Sequence, residues 1–279
     1  QGIDDIHGID MIPVYTEYAS HTGLPIKCGM IEDSEYESNS FSFAVVDQVL
    51  EHVSEPHKTL SAINKILQDG GYLCIGVPDA ERYNDLFFFD YYWLLLREHI
   101  QHYDIHHMLS LLQMSGFKFI DSKATEYEEI PGSMIIPNRY YLFQKTDHIS
   151  EMVSEISPFE LHKKMKEYIG REFLRLQKRR DEIVRILNEK KEIYLWGIGR
   201  ECMYYIKNSG INFQNITGLI DKNEYKQKNL KINGMGISNT DILKSASASS
   251  VVIITSVAHT GPISSELERM GYRGEIFKL

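Results

Sequence analysis

The chain has few cysteines, no long apolar run and too little basic charge for its acidic content. Its 279 residues hold three cysteines, and Cys28, Cys74 and Cys202 lie far apart with no C-x-x-C pair. That spacing excludes a disulfide framework and a cysteine-built zinc site, and it fits a reducing cytoplasm. No stretch approaches the ~18 apolar residues of a membrane-spanning helix, and the acidic start Gln1-Gly2-Ile3-Asp4-Asp5 lacks the pattern of an export signal. Lys and Arg number 30 against 39 Asp and Glu, for a net charge of −9. A nucleic-acid footprint needs the opposite balance, so neither nucleic acid nor membrane is an expected partner. The one basic cluster, residues 163–180, alternates with Glu167, Glu172 and Asp181 at helical spacing and reads as a solvated helix face.

With 43% hydrophobic and 25% charged residues, the composition is that of a globular protein with a packed core, and the length suits two domains. Apolar runs at 6–9, 24–29, 41–46 and 72–77 predict buried strands. Between them, 13–21, with proline in its first turn, and 56–68, with Leu60, Ile63 and Leu67 on one stripe, predict helices. A helix over 105–115 and strands over 117–125 and 139–144 follow, the last two pairing antiparallel because no helix separates them. Residues 149–190 predict a long linking helix. From 191 to 279 strands and helices alternate again: strands 193–196, 216–220, 251–255 and 275–278, helices 200–209, 240–245 and 262–270. The expectation is an α/β protein with domains over 1–148 and 191–279.

The first domain carries an ordered set of motifs: His7-Gly8-Ile9-Asp10; Cys28-Gly29; Phe41-Ser-Phe-Ala-Val-Val-Asp-Gln-Val-Leu-Glu-His-Val53; Leu67-Gln-Asp-Gly-Gly-Tyr-Leu73; and Glu98-His99-Ile-Gln-His102-Tyr103 before Leu111-Leu112-Gln113-Met114-Ser115-Gly116-Phe117. In order and spacing, residues 2–146 resemble the class I S-adenosylmethionine-dependent methyltransferases. The resemblance implies a Rossmann-like methyltransferase sheet with S-adenosylmethionine as cofactor. Asp10, at a strand's carboxyl end, is then the acid that grips the ribose diol, with Met11 beside it. The bland alternative is an Asp that caps the following helix. Ile31 and Glu32 fall where the family surrounds the adenine. Met30 stands where the family often has an acid, leaving Glu32 or Asp33 to take that role. Asp47 and Gln48 fall beside the methionine part. His52, His99 and His102 are the candidate catalytic bases for a hydroxyl acceptor, with His52 and His102 preferred. His99, His106 and His107 add to the histidine count, but no carboxylate–histidine spacing of a metal-dependent transferase is evident, and no metal is expected.

The family's first strand and Gly-rich loop would precede Gln1, and that strand lies in the middle of the family's sheet. The resemblance therefore implies a longer natural chain, or a strand supplied from elsewhere, and weak cofactor binding by these residues alone. The aromatic segment over 86–96 reads either as a lid over an apolar pocket or as a helix packed on the linking helix or in a homodimer.

In the second domain Trp196-Gly197-Ile198-Gly199 follows a strand, and Asp221 closes the next one. Gly197, Gly199 and Asp221 thus sit as in a dinucleotide fingerprint, although Cys202 replaces the third glycine. The pattern is similar to the Rossmann-like C-terminal domain of some sugar-modifying methyltransferases. A small-molecule methyltransferase acting on a sugar or nucleotide-linked sugar is the leading reading. The competing readings are a non-catalytic scaffold on a degenerate methyltransferase fold and a nicotinamide-dependent enzyme using Gly197, Gly199 and Asp221.

Overall fold

A computed structural model describes residues 5–85, 92–130, 134–147, 158–189, 192–208 and 213–279. They fall into two compact units, the first grouping Gln1–Glu81, Leu95–Thr125 and Pro137–Leu161, the second Arg82–Leu94, Glu126–Ile136 and His162–Leu279. Both are mixed α/β; the first pairs strands both ways, and the second is parallel but for one strand. No helix among the described residues is long and apolar enough to cross a membrane.

The first unit opens with β1 (Gly8–Asp10), α1 (Pro13–His21) and β2 (Ile26–Cys28), followed by β3 (Phe41–Asp47), α2 (Pro56–Ile66) and β4 (Leu67–Pro78). After them come α3 (Ile105–Met114), β5 (Phe117–Ile130) and β6 (Met134–Lys145). α2 ends two residues before its predicted end because Leu67 turns extended and pairs with Phe41. Asp104 caps α3, its carboxylate accepting from the His107 N–H at 2.8 Å, and Gly116, at φ +81°, ends it. Leu60 and Ile63 of α2 and Met108, Leu111 and Leu112 of α3 pack on Leu73, Ile75 and Val77 of β4 and on Tyr141 and Phe143 of β6. Full burial of each such aliphatic side chain contributes about 1.5–3 kcal/mol.

A single sheet does not form. β1 and β2 pair in parallel as one two-stranded sheet, while β3-β4-β6-β5 make another, with β4 parallel to β3 and antiparallel to β6. β5 and β6 are neighbours, as expected from the absence of an intervening helix. β1 and β3 each keep one edge unpaired among the described residues, and these are the strands that the resemblance sets on either side of the family's first strand. Phe43 and Val45 on β3 remain 50% and 60% exposed. The start of β1 is held to the start of β3 by rings: His7 meets Phe41 edge-on at 5.5 Å, and the Tyr36 hydroxyl donates to the Gly8 carbonyl at 3.3 Å.

The second unit contains α4 (Pro158–Glu189), β7 (Ile193–Trp196), α5 (Arg200–Asn208), β8 (Gly218–Ile220), α6 (Glu224–Asn229), β9 (Lys231–Ile232), β10 (Met235–Ser238), β11 (Val251–Ile254), α7 (Thr260–Arg269) and β12 (Glu275–Lys278). Its strands run β12-β11-β7-β8-β10-β9, parallel except for β9, and β9, β10 and α6 are additions to the predicted set. Residues 240–245 form a 3-10 turn in place of the predicted α-helix. β7 is buried on both faces: Ile193 and Leu195 enter one core cluster, Tyr194 and Trp196 the other. Leu176, Ile183, Ile186 and Leu187 of α4 belong to the first of these clusters. Of the aromatic segment, residues 86–91 lie outside the described residues. Leu94, beyond them, is buried, and its N–H donates to the Tyr168 hydroxyl at 3.3 Å.

Two outcomes follow from this packing. Leu73→Ala should lower stability by about 2–5 kcal/mol in urea unfolding, since it empties a fully buried site. Burial pushes the Cys202 thiol up to about 11, against a smaller opposing hydrogen bond with Thr255, so it stays protonated at pH 8. Ellman's reagent should therefore modify exposed Cys28 in the native protein and reach Cys202 only after denaturant is added.

Candidate functional site

In open parallel sheets the groups that follow each strand's carboxyl end gather where ligands bind. Asp10 is the last residue of β1, and its Oδ1 accepts the Ile12 N–H at 2.7 Å. Its second oxygen has no hydrogen-bond partner among the described residues. The N-cap of α1 is Ile12, with no side-chain cap, so Asp10 does not do the capping that was its bland alternative. Met11 beside it is 67% exposed. After β2, Ile31 packs against the core, whereas the Glu32 carboxylate takes the Thr59 hydroxyl of α2. Glu32 is thereby tied to the scaffold with at least one of its oxygens.

At the end of β3, Asp47 lies opposite Gly76 of β4, and its Oδ2 accepts from the Tyr140 hydroxyl at 3.0 Å. A Cβ on Gly76 would stand 2.1 Å from Asp47 Oδ1 and 2.6 Å from the Tyr140 ring, so only glycine leaves this pair in place. Gln48 has a left-handed backbone, φ +53°, that a non-glycine residue adopts at a cost. It is held there by its N–H to the Gly76 carbonyl at 2.9 Å and by its side-chain amide to buried Asn138 at 2.8 Å.

The chain then turns through Leu50–His52, where Glu51 is 2% exposed. The Glu51 carbonyl accepts both the Ile100 and the Gln101 N–H at 3.0 Å, which draws the segment carrying His99 and His102 against His52. The His52 and His99 rings meet at 5.0 Å between centroids. His52 Nδ1 lies 2.8 Å from the Glu98 carbonyl, a contact that requires the N–H on that nitrogen. Nε2 is 3.8 Å from Glu51 Oε1, and neither Glu51 oxygen has a hydrogen-bond partner. Burial raises the Glu51 carboxyl above its ordinary range. Burial first, and His99 second, bring His102 down to about 4, so its imidazole is neutral near pH 7. Sequence reasoning named His52, His99 and His102 as candidates and preferred His52 and His102, but did not foresee that His99 and Glu51 meet at His52. The Glu-His pair was visible; what brings His99 to it is a backbone contact 49 residues away.

In the second unit Gly197, Ile198 and Asp221 do come together, because β7 and β8 are neighbours. Asp221 is committed within the protein: Oδ2 accepts the Ile198 N–H at 2.9 Å and Lys226 Nζ at 2.8 Å, and Oδ1 accepts the Asn223 N–H at 2.9 Å. Gly197, at φ +99°, has Ser256 packed where a side chain would be, with 2.6 Å to its Cβ. The glycine is thus required by the β7–β11 packing itself, and Gly199 lies in the loop that leads into α5.

Residues 2–122 match the family model described as "Methyltransferase domain". An uncharacterised protein of Methanocaldococcus jannaschii is 24% identical over 133 residues, 44% of this chain; the chain spans 60% of the length of that relative. Among solved structures, a SAM-dependent methyltransferase of Methanosarcina mazei is 16% identical with a TM-score of 0.43, covering 50% of this chain and 81% of its own. A SAM-dependent methyltransferase of Thermotoga maritima is 19% identical with a TM-score of 0.40, covering 50% and 72%. The 1,6-didemethyltoxoflavin-N1-methyltransferase of Burkholderia thailandensis, solved with S-adenosylhomocysteine, is 14% identical with a TM-score of 0.38, covering 50% and 61%.

The close approach at the end of β3 generates a direct test. Gly76→Ala should cost about 1–3 kcal/mol of stability in a denaturant titration, the range for overpacking, because Asp47 and Tyr140 must both move.

Proposed function

We propose, from the match of residues 2–122 to the methyltransferase-domain family model, that the protein is an S-adenosylmethionine-dependent methyltransferase acting on a small molecule, a sugar or nucleotide-linked sugar. The observation that carries this reading is Asp10: a carboxylate at a strand's carboxyl end, fixed through one oxygen and open at the other among the described residues, is built to accept hydrogen bonds from a vicinal diol. Exposed Met11 beside it and the strained turn at Gln48 fit the remainder of such a cofactor. When bound, S-adenosylmethionine supplies an electrophilic methyl group for in-line displacement, a reaction governed by alignment more than by acid–base strength. The chain's own contribution is positioning, together with the imidazole of His52, held through Nδ1 by the Glu98 carbonyl, and a neutral imidazole at His102.

The net charge of −9 favours a small acceptor over a nucleic acid. The doubly wound second unit favours an acceptor with a nucleotide part, because such sheets take ligands at their strand ends. Three free cysteines favour a reducing, cytoplasmic setting. The nicotinamide reading is weaker, since the Asp221 carboxylate that a cofactor ribose would need already holds Ile198, Asn223 and Lys226.

Equilibrium dialysis with radiolabelled S-adenosylmethionine tests the proposal. A hydrogen-bonded charged group is worth about 1.5–3 kcal/mol, so Asp10→Asn should weaken binding by about 10-fold or more. Equal binding by the parent and Asp10→Asn would sink the assignment.

A further inference from the structure

We propose that Glu51, His52 and His99 form a binding site for one divalent transition-metal ion, with zinc its simplest occupant. The donor atoms of the three side chains all lie within 4.8 Å of one another, and His52 Nε2 lies 3.8 Å from Glu51 Oε1. Tetrahedral bonds of about 2.1 Å place donors about 3.4 Å apart, so that pair needs to close by only a few tenths of an ångström.

Three further observations point to a cation. Glu51 is 2% exposed and both its oxygens lack a hydrogen-bond partner, an arrangement that costs free energy unless something positive shares the space. The buried Tyr103 hydroxyl has no hydrogen-bond partner among the described residues either. His52 is oriented as metal-bound histidines are: Nδ1 donates to the Glu98 carbonyl at 2.8 Å, and Nε2 faces Glu51. Two imidazoles and one carboxylate suit zinc or a similar ion better than magnesium, which prefers oxygen. His52 is 40% exposed, which gives an ion a way in.

Three protein ligands leave a coordination position open, the arrangement of a catalytic rather than a structural site. Its use rests on the methyltransferase reading: an acceptor hydroxyl at the open position would be held and made more acidic. The site itself does not depend on that reading.

Calorimetric titration of the full chain, stripped with a chelator, with zinc chloride should show one saturable equivalent. Loss of a ligand should weaken it by at least about 10-fold in Glu51→Gln, His52→Ala and His99→Ala, whereas His106→Ala, a change at an exposed histidine outside the cluster, should leave it unchanged. Cobalt should bind at the same stoichiometry with visible d–d bands on the parent, a readout that survives if a variant fails to fold. The proposal is overturned if the parent takes up no single equivalent of zinc, if uptake persists in all three ligand variants, or if magnesium displaces zinc. Zinc uptake that holds while Asp10→Asn leaves S-adenosylmethionine binding unchanged would support the metal site and remove only the methyltransferase reading.

Discussion

The parallel pairing of β3 with β4 is the constraint on which the first unit's chemistry depends. It sets Asp47 against Gly76 and brings the chain to the strand's end with a left-handed Gln48, after which Leu50–His52 must turn back toward the core. Asp47, Gln48, Glu51 and His52 are all placed within a few residues of that one strand end. Shifting the β3 register by a single residue would turn each strand side chain to the opposite face.

Glu51 illustrates the tension between stability and chemistry. Its backbone carbonyl is well used, accepting two N–H groups that anchor the histidine segment. Its side chain is not, being buried with neither oxygen hydrogen-bonded. A fold optimised for stability alone would place an apolar residue or a paired carboxylate there. Departures of this kind concentrate at functional sites, where burial changes the behaviour of an ionisable group.

The second unit shows how a recognisable pattern can be used for packing. Gly197 permits the close approach of Ser256, and Asp221 organises the β7–α5 loop through Ile198 and Lys226. The same residue types that cradle a pyrophosphate and a ribose elsewhere here satisfy the protein's own backbone. Trp196 and Ile254, 2% and 0% exposed, show that this strand-end region rests on a closed interior.

Local periodicity determined most of the elements. The apolar run of β3, the stripe of Leu60 and Ile63 on α2 and the Asp104 cap of α3 are written in neighbouring residues, and the order of motifs from His7 to Phe117 identified the class of fold. Asp10, too, could be chosen from its place at the end of a short strand. What only the tertiary structure decided depends on contacts between residues far apart in the chain. These are the separation of β1-β2 from β3-β4-β6-β5, the meeting of His99 with Glu51 and His52, and the entry of α4 into the second unit's core. Lys226 lies only five residues beyond Asp221, yet whether that carboxylate serves a ligand or the protein was decided by the loop bringing Ile198 to it. Hydrophobic spacing encodes which face of an element is buried, but not which distant polar groups that burial will force together.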